Sequence, residues 1–200
     1  MTGERRAGLP ILGFATAPDW AAWLEVQPGS SDGLWLKLAK KGSGVASLSR
    51  DEAIDLALCH GWIDGQLDKY DECCWLVRFT PRKPRSKWSK INRTRAQALI
   101  ADGRMRPSGQ AEVDAAQADG RWDAAYASQG TATVPPDLQA ALDAAPAARE
   151  FFATLDGANR YAILYRVQDA KTAATRARRI EQFIAMLGRG ETIHPRKHAG

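Results

Sequence analysis

The residue types best suited to chemistry in this sequence are concentrated in one stretch, from His60 to Asn92. The stretch reads HGWIDGQLDKYDECCWLVRFTPRKPRSKWSKIN and combines three tryptophans, an aspartate flanked by glycines and a dense run of arginine and lysine. A buried core does not require this combination, because charged side chains are rarely buried without partners. We therefore expect a binding or reaction site in this stretch.

Asp64 is the first candidate for chemistry. Residues 49–52 (SRDE) have the spacing of a capping box, and the helix that they start is predicted to end near Gly61. A carboxylate held just beyond that helix end, beside Trp62, can act as a general acid or base, hold a cation or accept a hydrogen bond. The alternative is a turn aspartate that hydrogen-bonds its own backbone.

Arg78 is the second candidate. Residues 73–80 (CCWLVRFT) alternate in the way that predicts a strand. On that strand Arg78 shares a partly apolar face with Leu76 and Thr80. An unpaired guanidinium in such surroundings is costly, so Arg78 needs a partner, and Asp64 is our candidate for it. Such a pair can also be purely structural.

A cationic loop and a helix follow this strand. Residues 81–85 (PRKPR) contain two prolines, which exclude a regular helix or a central strand, and a helix is predicted over residues 86–105. Serine, proline and positive charge ahead of a helix N-terminus are typical of an anion-binding cradle; a solvated basic face is the alternative. The side chains expected to contact an anionic ligand are Trp62, Gln66, Arg82, Lys83, Arg85, Ser86, Trp88, Ser89 and Asn92.

One more cationic candidate lies near the C-terminus. Residues 172–188 are predicted to form a helix, and Arg176 falls within the angular range of its apolar stripe. An arginine in a buried seam requires a carboxylate, a group of carbonyls or a bound anion. Alternatively, its aliphatic stem lies along the seam and its charged head reaches solvent. We include Arg176 among the candidate ligand-binding residues.

Two function classes fit these residues. The first is a module that binds an anionic partner: a nucleotide, a nucleic acid, or a small phosphate or carboxylate ligand, with Trp88 as a stacking face. The second is an enzyme acting on a small anionic substrate, with Asp64 as general acid or base and Arg78 as the anion clamp. We favour binding, because the sequence has no nucleophile–base arrangement, metal-ligand spacing or cofactor fingerprint. We accordingly expect neither a metal nor a cofactor.

The elements around the stretch predict two folded parts. Residues 131–136 (TATVPP) have the composition of a linker. We expect a first domain over residues 1–130, a helical domain over 136–190 and a mobile basic tail over 191–200. The predicted elements are helices that start after Thr16 and Ser49, a strand over residues 34–39, a helical segment within 109–130 that places Trp122 and Tyr126 on one face, and helices over 136–144, 146–155, 157–170 and 172–188.

Composition and charge limit the possible partners and the cellular location of the protein. The net charge of +5 is uneven: residues 78–107 carry +9 and residues 158–200 carry +6, separated by an acidic segment. Such blocks fit an anionic partner or an internal electrostatic match. No apolar run approaches the length of a membrane span. Three cysteines without a disulfide framework, and no secretory signal, lead us to expect a cytoplasmic protein. Self-association into a homo-oligomer is left open.

Three motifs resemble the bacterial YdeI/OmpD-associated proteins, also described as bacteriocin-protection proteins. They are ALCHGWIDGQ (Ala57–Gln66), RFTPRKPRSKWSKIN (Arg78–Asn92) and NRYAILYRVQDAKTAATRARRI (Asn159–Ile180). The resemblance implies an α+β fold, with a small antiparallel sheet flanked by helices and an all-helical C-terminal domain. It also implies a stress-response role in antimicrobial peptide resistance, through association with an outer-membrane porin.

Overall fold

The structure is a computed structural model that describes residues 3–195. The chain divides into two compact units. The first unit comprises the chain up to Trp88 together with Asn92–Ala125, and the second comprises Ser89–Ile91 together with the chain from Tyr126 onward.

A five-stranded sheet forms the centre of the first unit. Its strands are β1 (Arg5–Arg6), β2 (Leu9–Gly13), β3 (Leu34–Ala39), β4 (Trp62–Lys69) and β5 (Cys74–Pro81). They lie in the order β1-β2-β3-β5-β4, and every pair is antiparallel except β2 with β3. The predicted strand over residues 34–39 is confirmed, and β5 matches the alternating segment that carries Arg78.

Alternation along β3 and β5 gives the sheet two different faces. Leu34, Leu36 and Leu38 on β3 join Val77 and Phe79 on β5 in the main core of the unit. The opposite face, here called the outer face, carries a smaller cluster built on Leu9, Trp35 and Leu76. Side chains of adjacent strand residues point to opposite faces, so Arg78 leaves the sheet on the outer face.

Helices cover the core face. They are α1 (Ala17–Glu25), α2 (Arg50–Cys59), α3 (Lys90–Ala101) and α4 (Pro107–Ala118). Thr16 caps α1, and Ser49 forms the predicted capping box with Glu52 at the start of α2. Gly61 takes a φ of 77° beyond the end of α2, a conformation that glycine adopts at little cost.

Two helix predictions are corrected, and two strands, β2 and β4, were not predicted. Strand β4 begins directly after Gly61, and residues 9–13 form β2. Helix α3 is shorter than residues 86–105. Trp122 and Tyr126 lie outside helices, because α4 ends at Ala118 and Gly120 follows with a φ of 80°. The mostly polar β4 has little strand propensity of its own, so its pairing with β5 decides its conformation.

Four helices build the second unit, close to the predicted bounds. They are α5 (Pro136–Asp143), α6 (Pro146–Ala153), α7 (Gly157–Gln168) and α8 (Ala173–Gly188). Proline occupies the first turn of α5 and α6, and Asp156 and Thr172 cap α7 and α8. Their core is apolar, and the buried Asn159 amide hydrogen-bonds the backbone of His194. The last residues of the predicted tail, 196–200, lie outside the described residues.

The α+β fold class with a helical C-terminal part is therefore confirmed. Within the described residues, no helix has the length and apolar character needed to cross a membrane.

Candidate functional site

A groove of about 730 Å³ opens on the outer face of the first unit. The last part of β5 and the first part of β4 form one side of it. The turn between β1 and β2 and the loop ahead of β3 form the other. Its lining residues are Ala7, Gly8, Leu9, Gly29, Ser30, Ser31, Asp32, Ile63, Asp64, Gly65, Gln66, Arg78, Thr80, Pro81, Arg82 and Lys83.

Arg78 lies in the groove beside the apolar cluster of the outer face. It is paired across the sheet with the buried Trp35. Its Nε atom is buried and has no hydrogen-bond partner among the described residues. A buried donor left in this state costs about 1–3 kcal/mol. Arg78 therefore lacks a partner at this atom, and no described residue supplies one.

Asp64 does not pair with Arg78, so that expectation is corrected. The β4–β5 register places Asp64 opposite Phe79, a residue of the main core. Directly opposed residues project to the same side of a sheet, so the Asp64 side chain leaves on the helix side and Arg78 on the outer side. The Asp64 carboxylate instead accepts a hydrogen bond from Arg50, the first residue of α2, at 3.1 Å.

Arg82 is held inside the protein, although it also lines the groove. Only 6% of the residue is exposed. Its guanidinium carbon lies 3.5 Å from the centre of the Trp88 ring, and its Nη1 donates to the backbone oxygen of Lys87 at 3.3 Å. Trp88 is itself 1% exposed and meets Trp122 edge to face. Because Trp88 is covered, its ring does not provide the open stacking face that we predicted.

Lys83 is the exposed cation of the cationic loop beyond β5 that lines the groove. Its backbone N–H donates to the Ser86 hydroxyl at 2.9 Å, which closes a tight turn. Arg85 and Ser86 line a separate hollow of about 450 Å³ formed by residues 83–86 alone.

The structure thus brings together only part of the predicted site. Asp64, Gln66, Arg78, Arg82 and Lys83 line one groove. Trp62 is buried in the core, Ser89 forms a β-bridge with Tyr126, and Asn92 lies on α3. None of Trp62, Arg85, Ser86, Trp88, Ser89 and Asn92 lines the groove.

The wall opposite β5 includes the β1–β2 turn, which contains none of the predicted site residues. Ala7 and Gly8 join β1 to β2 with φ values of 47° and 80°, which is the backbone of a tight hairpin turn. A positive φ is unusual for alanine, so this turn was hard to recognise. Arg6 of the hairpin forms an ion pair with Asp68 on β4 at 2.8 Å, and Glu4 accepts from the Tyr70 hydroxyl.

A second hollow, of about 400 Å³, lies beside the end of α2. His60 lines it, and its Nδ1 is 3.6 Å from the carboxylate of Glu25. Burial lowers the pKa of His60 below its usual value, while Glu25 acts in the opposite direction and Arg106 adds to the lowering. The hollow shares Gly29, Pro81 and Arg82 with the groove.

Much of the basic run after β5 is used for internal contacts. Arg93 donates to the backbone oxygen of Trp122 at 3.1 Å. Arg95 forms ion pairs with Asp51 and Asp55 of α2. The positive charge that the sequence concentrates here therefore serves partly to join α3 to its neighbours.

Arg176 in the second unit also finds its partner within the protein. It binds Asp137 through two hydrogen bonds, of 2.5 and 2.8 Å, and donates to the backbone oxygen of Val167 at 2.9 Å. From the sequence we expected Arg176 to require a carboxylate, a group of carbonyls or a bound anion. The structure supplies a carboxylate and a carbonyl. The hydrogen bond from Arg176 lowers the pKa of Asp137, with partial opposition from burial.

These features define a class of protein: an α+β unit with a cationic groove on its sheet, followed by a helical unit. Residues 12–112 match the family described as Domain of unknown function (DUF8412). That match spans just over half of the chain, so the chain belongs to this family. Residues 131–190 match the family described as Bacteriocin-protection, YdeI or OmpD-Associated.

The resemblance to YdeI/OmpD-associated proteins is thereby confirmed, and its extent is defined. The motif Asn159–Ile180 lies inside the 131–190 match. The motifs Ala57–Gln66 and Arg78–Asn92 lie inside the 12–112 match. No curated protein and no solved structure matches the chain.

Proposed function

We propose that the first unit binds a small anionic ligand, carrying a phosphate or a carboxylate, in the groove on the outer face. The observation that carries this proposal is that Arg78 lines the groove and its side chain has no hydrogen-bond or ion-pair partner among the described residues. An anion in the groove would pair with this guanidinium charge, and hydrogen bonds to charged groups are stronger than those between neutral groups.

The electrostatics of the groove support an anion. Arg78, Arg82 and Lys83 line it, and Asp32 supplies a carboxylate there, whereas the Asp64 carboxylate leaves the sheet on the helix side. The charge of Asp64 is offset by Arg50 on the other side of the sheet. The volume of the groove falls in the range of small-molecule sites.

The same observations favour a small ligand over nucleic acid. Binding of nucleic acid depends on many exposed cations that contact phosphates, together with aromatic faces open to the bases. Here Arg93 and Arg95 are engaged internally, and Trp88 is buried. We extend the proposal to a cytoplasmic role in stress or peptide resistance, because the second unit matches a family described by bacteriocin protection.

Calorimetric titration tests the proposal. Inorganic phosphate, pyrophosphate, acetate and citrate are titrated at low salt into the full-length protein and into Arg78→Met. Removing a charge-assisted hydrogen bond costs about 1.5–3 kcal/mol, so we expect affinity for the best ligand to fall roughly ten- to hundredfold. Arg178→Met is the matched control, because Arg178 is exposed on α8 and carries the same charge.

Two results would overturn the proposal. One is that none of the four anions binds the wild-type protein. The other is that a folded Arg78→Met variant, checked by circular dichroism, binds as tightly as the wild type.

A further inference from the structure

We infer that the groove takes an elongated ligand with two anionic groups, one at Arg78 and one at Lys83, joined by an uncharged spacer. This inference rests on the proposed function and specifies its ligand class. It starts from a difference among the three groove cations. Arg82 is packed on Trp88, whereas the side chains of Arg78 and Lys83 form no hydrogen bond or ion pair with any described residue.

The two free cations lie at different positions along the groove. Arg78 is in the middle of β5, and Lys83 is two residues beyond its end at Pro81. The chain stays extended past that end, because the Arg82 N–H donates to the Gly61 oxygen at 2.9 Å. At about 3.3 Å per residue, their Cα atoms are separated by up to about 16 Å.

Their side chains also differ in freedom. The Nε of Arg78 is buried, which limits the movement of its side chain, while Lys83 is exposed on a turn. The Arg78 guanidinium is restricted and the Lys83 ammonium group can adjust its position. Two such groups spaced along an extended strand can each bind one of two anionic groups on the same ligand. The volume of about 730 Å³ also suits a ligand of many atoms better than a single phosphate or carboxylate group.

Arg82 also lines the groove between the two cations, but its guanidinium lies on the Trp88 ring, and the other lining residues between them along the chain are uncharged. Thr80 and Pro81 separate them on β5, Ile63 lies opposite on β4, and the hairpin contributes Leu9. These side chains offer apolar contact and one hydroxyl. A spacer with an extended hydrocarbon or lightly hydroxylated chain therefore matches the middle of the groove.

Asp32 limits how much negative charge the groove accepts. It is exposed, lines the groove and has no ion pair among the described residues. Its carboxylate repels the anionic groups of a ligand in the groove. We expect Asp32→Asn to increase the affinity for dianions a few-fold, as the loss of a like charge at a solvated site does.

The test uses straight-chain α,ω-dicarboxylates of three to nine carbons and, for each length, the monocarboxylate. Affinities are measured by calorimetry for the wild type, Arg78→Met, Lys83→Met and the control Lys41→Met, an exposed lysine away from the groove. We expect one chain length to bind best and to exceed its monocarboxylate by roughly fivefold or more, a gain that Lys83→Met removes.

The results separate this inference from the proposed function. If monocarboxylates bind as tightly as dicarboxylates and only Arg78→Met weakens them, the two-anion inference fails and the anion site at Arg78 stands. If a dicarboxylate binds best but Lys83→Met matches Lys41→Met, the second anion position is wrong. If neither ligand series binds the wild type, the proposed function itself fails.

Discussion

At the scale of single residues, Arg78 decides the interpretation of the site. The alternation around it identified its apolar surroundings correctly, and that reasoning needed only the two-residue period of a strand. Its partner could not be identified in the same way. The β4–β5 register, which cannot be predicted from the pattern of β5 alone, turns Asp64 to the other side of the sheet. A joint role of Asp64 and Arg78 in catalysis stays a prediction without geometric support.

The Arg176–Asp137 ion pair predicts how the stability of the protein depends on pH. Its hydrogen bonds lower the pKa of Asp137, so the stabilisation exists above the pKa of the unfolded state and is lost as the pH falls through the lower folded value. Both side chains are partly exposed, which limits the pair to about 1 kcal/mol. Asp137→Asn should lower the melting temperature at pH 7 by about 2–4 °C.

Thermal melts from pH 7 down to pH 2 check this expectation. The gap between wild type and Asp137→Asn should close in the acidic range. Asp143→Asn is the control, since its contact with Arg149 is 4.0 Å long. A gap that is constant across the pH range would show that the ion pair is not its cause.

At the scale of elements, helices with strong capping signals were predicted correctly, whereas strands that depend on pairing with their neighbours were not. The helices of the second unit begin at proline or at capping residues such as Asp156 and Thr172, and their predicted bounds are close to those observed. The capping box at Ser49 was also found. By contrast, β2 and β4 form because neighbouring strands supply their hydrogen bonds, so the groove wall at Ala7 and Gly8 was missed.

The β1–β2 hairpin yields a prediction about local stability. Its ion pair between Arg6 and Asp68 joins it to β4, and exposed pairs contribute about 0–1 kcal/mol. Asp68→Asn should therefore change the global melting temperature little. It should increase backbone amide exchange in residues 5–13 several-fold, because local opening becomes easier.

Hydrogen exchange followed by mass spectrometry measures this directly. Asp102→Asn serves as the control, because Asp102 is exposed and its side chain has no bonded partner among the described residues. Unchanged exchange in the hairpin of Asp68→Asn would mean that the ion pair does not hold it.

At the scale of the whole molecule, net charge gives a misleading picture of partners. The sequence places +9 in residues 78–107, a density that suggests nucleic acid. In the structure several of these cations bind carboxylates or backbone oxygens of the first unit. Charge counted along a chain does not distinguish a cation that contacts solvent from one that joins two helices.

We therefore predict weak binding to nucleic acid. Fluorescence anisotropy with a labelled 20-base-pair DNA duplex at 150 mM salt should give a Kd no tighter than roughly 10⁻⁴ M, the weak end of non-specific binding. A Kd of 10⁻⁶ M or below, with a steep salt dependence, would contradict the assignment of the basic run to internal contacts.

The most direct test of the account is a pair of measurements on Arg78→Met: anion titration and thermal unfolding. Because the substitution removes an unsatisfied buried donor and keeps an apolar stem, we predict that stability is unchanged or increased by about 1 kcal/mol. Anion affinity should meanwhile fall roughly ten- to hundredfold. Wild-type affinity together with lowered stability would instead make Arg78 a structural residue and contradict the anion site.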